Sequence, residues 1–375
     1  MSIWANLMAR KNLIKAFRNG AIYKTISDER KIYPKIHSIQ ITDYSTEYVF
    51  TLPTGLNPDF LKKNYFAFQQ VFGQHIKLDG EIKKYVLTVF NAPSTGEYFY
   101  KVDEILKTVE ILKLGIICGK ERTGEFVAFD LLKQPHILIA GETGSGKSTQ
   151  IRSILTTLIL TKKPSELQLY LGDCKKSEFH IFRKVEHVQC VLSKPKDIGR
   201  MLNTIKKELD ERSDLTEVFE VSHVDDLPDE HKRPHIVVCI DEFVMLRKDE
   251  TIMDILTEIV AIGRTLGVFA ILSMQRPNAK VLDTTIRANL TVSMGFKLRD
   301  VIEARIVNTP NAEKIETNGR FIMNSGKLYD LQAPYLKLEE AKKILNPFCV
   351  MKKPVKDVTK EKPKLSEKDV FADVD

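Results

Sequence analysis

The sequence predicts an α/β fold for its larger part, preceded by a small α+β module. Three observations carry that expectation. Between Gly115 and Pro347, apolar runs alternate with long helical stretches, and the runs lack strict polar alternation, as strands buried on both faces of a parallel sheet do. Between Lys35 and Phe99, shorter runs alternate apolar and polar residues and are bounded by turn signals, as half-exposed strands are. A glycine-rich segment joins one of the buried runs directly to a helical stretch. At 375 residues, 43% hydrophobic and 29% charged, the chain is long enough for two or three domains with sizeable cores.

Four regions follow in order. Residues 1–34 form a basic arm: up to Lys35 the bases Arg10, Lys11, Lys15, Arg18, Lys24, Arg30, Lys31 and Lys35 face only Asp28 and Glu29, so this end carries +6 of a total of +7. Such an arm suits a phosphate-rich partner or an anionic membrane surface, or is simply a solvated terminus. Residues 35–114 are the α+β module. Its expected strands are Ile39–Thr42, Tyr48–Leu52 and Tyr85–Phe90, with turns at Pro53–Gly55, Asp79–Gly80 and Pro93–Gly96, and a helix over Pro58–Phe72. Residues 115–347 are the α/β domain, with strands expected at His136–Ala140, Leu167–Gly172, His235–Ile240, Val268–Met274 and Leu290–Phe296. Residues 348–375 are Lys-, Glu-, Asp- and Pro-rich, the composition of a disordered tail.

Composition excludes several classes. No apolar run approaches the roughly 18 to 20 residues of a membrane-spanning helix, and no apolar segment follows the basic terminus as a secretory signal requires. Five scattered cysteines, Cys118, Cys174, Cys190, Cys239 and Cys349, form no C-x-x-C pair and suit a reducing compartment. The expected location is the cytoplasm, with recruitment to the membrane by a partner as the variant of that reading.

The chemistry is concentrated in three segments. Gly141-Glu142-Thr143-Gly144-Ser145-Gly146-Lys147-Ser148 matches G-x-x-x-x-G-K-[ST], after a buried run and before the helical stretch Thr149–Leu160, which is the context this motif requires. Its glycines let backbone N–H groups turn towards phosphate oxygens, and the helix N-terminus adds partial positive charge. Lys147 is expected on the β- and γ-phosphates and Ser148 on Mg²⁺, with Thr149 beside them. His235–Ile240 then ends in Asp241-Glu242: Asp241 suits the Mg²⁺ carboxylate and Glu242 a general base that polarises water. Third, Val268–Met274 ends at Gln275, a polar residue at a strand tip where it can sense the γ-phosphate.

With these elements in order, the chain resembles the FtsK/SpoIIIE family of DNA-translocating ATPases over roughly residues 115–347. The resemblance rests on His136–Ser148, Asp173–Lys175, Ile236–Phe243, Gly263–Gly267, Ser273–Pro277 and Ile286–Leu290. It implies a RecA-like fold, ATP and Mg²⁺ as cofactors, and a hexameric ring that moves double-stranded DNA through its pore. Carried over by position, it makes Lys147 and Ser148 nucleotide and Mg²⁺ residues, Asp241 the Mg²⁺ carboxylate, Glu242 the catalytic base and Gln275 the sensor. Arg264, in Ile262–Gly267, matches an arginine that enters the neighbouring subunit's site, and Arg276, Arg287, Arg299 and Arg305 fall in or near stretches that line the pore.

The chain departs from the cell-division members. It carries no long Pro/Gln linker and no winged-helix pattern after residue 347, and it reads Arg299-Asp300-Val301 where many members have Ser-Ser-Lys. It looks more like the family's plasmid, phage and conjugative-element proteins, which implies transfer or processing of mobile-element DNA. The rivals are a related ring ATPase that drives protein secretion, and a recruitment module in which ATP serves only assembly. Over residues 35–110 the small module is the expected docking surface for a relaxase, a replication protein or a membrane partner.

Overall fold

A computed structural model of the chain describes residues 3–350 apart from 28–29, 43–44, 74, 91–97, 123, 279–281 and 283. The Pro93–Gly96 turn and the tail from residue 351 onward lie outside the described residues.

The small module begins earlier than the sequence suggested. Residues expected as an arm form helix α1 (Ile3–Asn19) and an exposed ribbon of β1 (Lys24–Ser27) and β2 (Arg30–Ile32). On α1, Ala9, Leu13, Ala16 and Phe17 recur at helical spacing and are buried. Phe17 packs edge-on against Phe50 and Phe68, with ring centroids 5.0 and 6.0 Å away, a favoured aromatic geometry. The basic residues that dominate the composition lie on the helix's other faces, which is why a charge count misread the segment as an arm. A four-stranded antiparallel sheet receives this helix: β3 (Lys35–Ile41), β4 (Ser45–Thr51), β5 (Ile76–Gly80) and β6 (Lys84–Phe90), in the order β3-β4-β6-β5. The helix expected over Pro58–Phe72 is broken into α2 (Asp59–Lys63) and α3 (Tyr65–Phe72) at Asn64, whose side-chain amide donates to the Phe60 carbonyl at 2.9 Å. Asp79 and Gly80, expected as a turn, are the last two residues of β5.

The second domain is built on a ten-stranded mixed sheet. Its elements are β7 (Tyr98–Phe99), α4 (Val102–Val109), β8 (Gly115–Glu121), β9 (Phe126–Asp130), β10 (Ile137–Ala140), α5 (Lys147–Thr161), β11 (Leu167–Asp173), β12 (Val188–Leu192), α6 (Pro195–Val218), β13 (His235–Asp241), α7 (Glu250–Ile262), β14 (Val268–Met274), α8 (Thr284–Asn289), β15 (Val292–Gly295), α9 (Val301–Val307), β16 (Arg320–Asn324), β17 (Leu328–Gln332), β18 (Pro334–Tyr335) and α10 (Leu338–Leu345). The strand order is β12-β11-β13-β14-β10-β15-β16-β17-β8-β9. The first six strands are parallel; five of them fall on the buried runs, and the edge strand β12 was not among the expected ones. The last four extend the sheet antiparallel, as the hairpins β16–β17 and β8–β9, an extension not expected from the sequence.

Two features hold the parallel half in place. Helix α5 is buried on nearly every side: Ile151, Ile154, Leu155, Leu158 and Ile159 enter the core on one face of the sheet, each worth roughly 1.5–3 kcal/mol of burial. Its small polar residues are tied as well, Ser153 donating to the Pro334 carbonyl at 3.0 Å and Thr157 meeting the Tyr100 hydroxyl at 2.7 Å. On the other face, the fully buried Arg212 of α6 donates to Glu208 at 2.9 Å, to the Leu266 carbonyl at 2.8 Å and to the Pro234 carbonyl at 2.7 Å. It thereby ties α6 to the start of β13 and to the turn before β14.

His136, just before β10, is 1% exposed and its Nδ1 accepts from the Ala270 N–H at 3.1 Å. Burial lowers its pKa to about 4. The folded protein therefore holds it neutral where the unfolded chain takes up a proton, so its contribution is complete above pH 6.5 and is lost as the pH falls towards 4. Asn keeps the acceptor and tolerates the positive φ of 61° found here. His136→Asn is expected to shrink the stability difference between pH 8 and pH 5 by about 2 kcal/mol in urea unfolding; an unchanged difference would refute the assignment.

Candidate nucleotide site

The parallel register brings the chain's chemistry to one edge. Ala140, the last residue of β10, lies opposite Met274 of β14 and Gly295 of β15, and Ile240 of β13 lies opposite Leu272. The segment after Ala140, the pair Asp241-Glu242 and Gln275 therefore all leave the sheet at its C-terminal edge. β14 sits between the strand that feeds the glycine loop and the strand that ends in the two carboxylates.

The loop itself is shaped by backbone rather than side chains. Gly144 and Gly146 have φ of 81° and 114°, a region that L-residues with a Cβ avoid. At Gly146 a Cβ would also stand 2.8 Å from the Gly319 Cα. That contact is part of a clamp: the Gly319 N–H donates to the Ser145 carbonyl at 2.8 Å, and the Glu142 N–H donates to the Lys297 carbonyl at 2.9 Å. The Ser145 hydroxyl closes the loop on the Glu142 carbonyl at 2.7 Å. Thr143 and Gly144 are exposed at its tip, while Ser148 and Thr149 are half-buried in the first turn of α5.

Lys147 folds back over the loop and donates to the Gly141 carbonyl at 2.7 Å. Burial lowers its pKa, opposed by the charges of Asp241 and Glu242. Asp241 is 6% exposed, and burial raises its pKa against the hydrogen bond that the Ser273 hydroxyl donates to Oδ1 at 2.7 Å. A buried carboxylate held above its ordinary range, facing a helix N-terminus that carries Ser148, fits a hard divalent cation with oxygen ligands such as Mg²⁺.

Glu242 has a φ of 55° and is 8% exposed. A left-handed glutamate is uncommon and held only by its surroundings. Here the Lys175 ammonium meets Oε2 at 3.0 Å and the Gln275 backbone N–H donates to Oε1 at 3.1 Å. Lys175 stands on the loop after β11, and Asp173 organises that loop by accepting the N–H groups of Ser177, Glu178 and Phe179 at 3.1, 3.0 and 3.1 Å. The sequence analysis assigned roles to Lys147, Asp241, Glu242 and Gln275, and the structure gathers them. No role was legible for Ser273 or Lys175, whose partners lie far off in the chain, nor for Asp173, whose partners are the local N–H groups of its own loop.

Arg264 is elsewhere. It is exposed in the turn between α7 and β14, at the N-terminal edge, so the seven-residue β14 separates it from Gln275 by about 20 Å. Arg276 and Arg299 follow β14 and β15 at the phosphate edge, Arg305 lies on α9, and Arg287 occupies the last turn of the helix that leads back to the start of β15. All four are exposed, and they do not form a single cluster with Arg287.

Loop, strand order and carboxylate pair define a P-loop nucleotide-binding domain. The FtsK/SpoIIIE family model matches residues 108–231, a span that includes the glycine loop. The DNA translocase FtsK of Oceanobacillus iheyensis is 30% identical over 257 residues, 64% of this chain and 33% of that protein. That of Leptospira interrogans is 31% identical over 252 residues, 62% and 26%. The chain thus spans about a third of the length of the curated relatives it matches. Among solved structures, the pCW3 conjugation coupling protein TcpA in its monomer form with ATPγS aligns at a TM-score of 0.62 and 22% identity, over 90% of this chain and 99% of that one. The cytoplasmic domain of the type VII secretion ATPase EccC of Thermomonospora curvata aligns at 0.58 and 21%, over 63% and 31%. These structural likenesses are of fold. Through residues 108–231 of this domain the chain is similar to the FtsK/SpoIIIE family.

Lys147→Ala removes the ammonium from the loop without touching the core. Binding of a fluorescent ATP analogue is expected to weaken at least about tenfold, the worth of one charge-assisted contact, with the circular dichroism spectrum intact. Undiminished binding would move the site elsewhere.

Proposed function

We propose that the protein is an ATP-hydrolysing DNA motor that works as a hexameric ring, with ATP bound between adjacent subunits. The observation that carries this reading is the convergence of Lys147, Asp241 and Glu242 at one sheet edge with Arg264 at the other. In this arrangement the backbone N–H groups of the loop and Lys147 bind the phosphates. Ser148 and Asp241 hold Mg²⁺, which offsets the phosphate charge. Glu242 accepts a proton from the attacking water, and Gln275 senses the γ-phosphate.

The Lys175 ammonium occupies Glu242 Oε2 at 3.0 Å, so a water reaches that oxygen only when Lys175 turns away, and the γ-phosphate is the anion within the site that draws it. Arg264 lies too far from its own subunit's site to serve it and is free to enter a neighbour's, where it stabilises charge on the transferring phosphate. Arg276, Arg287, Arg299 and Arg305 then contact DNA phosphates without reading bases, as a motor that must move along any sequence requires.

The DNA cargo is supported by the curated relatives, which are DNA translocases at 26–31% identity. Double-stranded DNA of a mobile element is the substrate this reading favours. The small module, over residues 35–110, is the surface offered to a relaxase, a replication protein or a membrane partner.

The decisive experiment measures ATPase rate with and without long double-stranded DNA, together with particle mass in ATP. Strong stimulation and a hexamer-sized species are the expected outcome. A rate indifferent to DNA would overturn the DNA motor. Arg264→Ala is expected to bind ATP normally and to lose at least about 100-fold in hydrolysis, within the range for such arginines. Mixed with Glu242→Gln it should recover part of the rate, because mixed rings contain interfaces with both residues intact; no recovery across the mixing series would rule out action in trans.

A further inference from the structure

Helix α1 has a second face that the small module does not cover. Opposite the buried Ala9, Leu13, Ala16 and Phe17, the positions Trp4, Leu7, Met8, Lys11, Lys15 and Arg18 recur at helical spacing and share one side. Trp4 is 81% exposed, Leu7 57% and Met8 62%. Lys11, Lys15 and Arg18 are exposed too, and so is Arg10 on their flank. The helix contains no acidic residue, and among the described residues none of these four bases is ion-paired. The face is therefore divided along its length, with large apolar side chains in the first two turns and bases in the remaining ones.

We infer that this face of α1 docks the protein on an anionic phospholipid bilayer. A helix lying in the membrane interface needs apolar side chains to enter the acyl boundary and bases to meet the headgroup phosphates, and α1 supplies both over about 25 Å. Indole, leucine and methionine side chains gain from leaving water, while lysine and arginine stems reach past them to the headgroups. Among the described residues no helix is long and apolar enough to cross a membrane, and α1 is held by its buried face, so the contact lies on the surface. A DNA backbone would use the bases but offers no apolar surface to Trp4, Leu7 and Met8. A second copy meeting the same face would set lysine against lysine.

The chain contains one tryptophan, and it is Trp4, so the intact protein carries its own reporter. With vesicles of phosphatidylglycerol and phosphatidylcholine, Trp4 emission is expected to shift to the blue and the protein to sediment with the lipid. With phosphatidylcholine alone neither should occur, and added salt should weaken the binding. Neutralising the bases in Lys11→Gln/Lys15→Gln/Arg18→Gln should lower partitioning on the order of 100-fold. Leu7→Ser/Met8→Ser, which keeps every base, should weaken it as well. These positions are exposed, and unchanged binding of the fluorescent ATP analogue verifies that each variant is folded.

Absence of a shift and of sedimentation with anionic vesicles overturns the inference. Two other results overturn it by reassigning the face. One is double-stranded DNA binding that is lost with the bases and indifferent to Leu7→Ser/Met8→Ser. The other is lipid-independent self-association that the same variants abolish.

Discussion

The site depends on a single constraint, the register of the parallel strands. Hydrogen bonding fixes Ala140 beside Met274 and Leu272 beside Ile240, and side-chain alternation makes a slip by one residue turn every buried side chain to the wrong face. The glycine loop, the two carboxylates and Gln275 meet because three strands end together. Nothing in the loop could compensate for a shift of one strand past another. The buried faces of α5, α6 and α7 on either side of the sheet are what make such a shift costly.

Against that fixed frame the reactive groups are restrained more by neighbours than by their own bonds. Lys147 rests on a carbonyl of its own loop, Asp241 on a serine of the next strand, and Glu242 on Lys175 and a backbone N–H. Each has a partner it can release when phosphate and cation compete for it. Arg212 performs the corresponding task for the far edge, since its hydrogen bonds to Leu266 and Pro234 hold the turn in which Arg264 stands.

Much of this was legible in the sequence because it is local. The G-x-x-x-x-G-K-S spacing, the apolar runs of the parallel strands and the acid pair after His235–Ile240 are each written within a few residues, and the structure places β10, β11, β13, β14 and β15 within two residues of where the runs put them. The short strands β16, β17 and β18 were not legible, because two to five residues carry too little periodicity to separate from loop. The packing of α1 was hidden by its charge, since four bases outweigh Leu13 and Phe17 in composition although they occupy different faces. Lys175 and Ser273 were hidden for another reason: their partners, Glu242 and Asp241, are brought near only by the sheet.

The clamp on the glycine loop sets an order in time. Gly146 closes against Gly319, and the residues between them include every strand of the parallel half except β10. A chain emerging from the ribosome presents its phosphate-binding motif early, but the turn that shapes that motif is made only after β15 and α9 have followed. At roughly 5–20 residues per second, about 10 to 35 seconds separate the synthesis of the loop from that of the residue it closes against. A nucleotide held by this loop would therefore enter a domain that is already built.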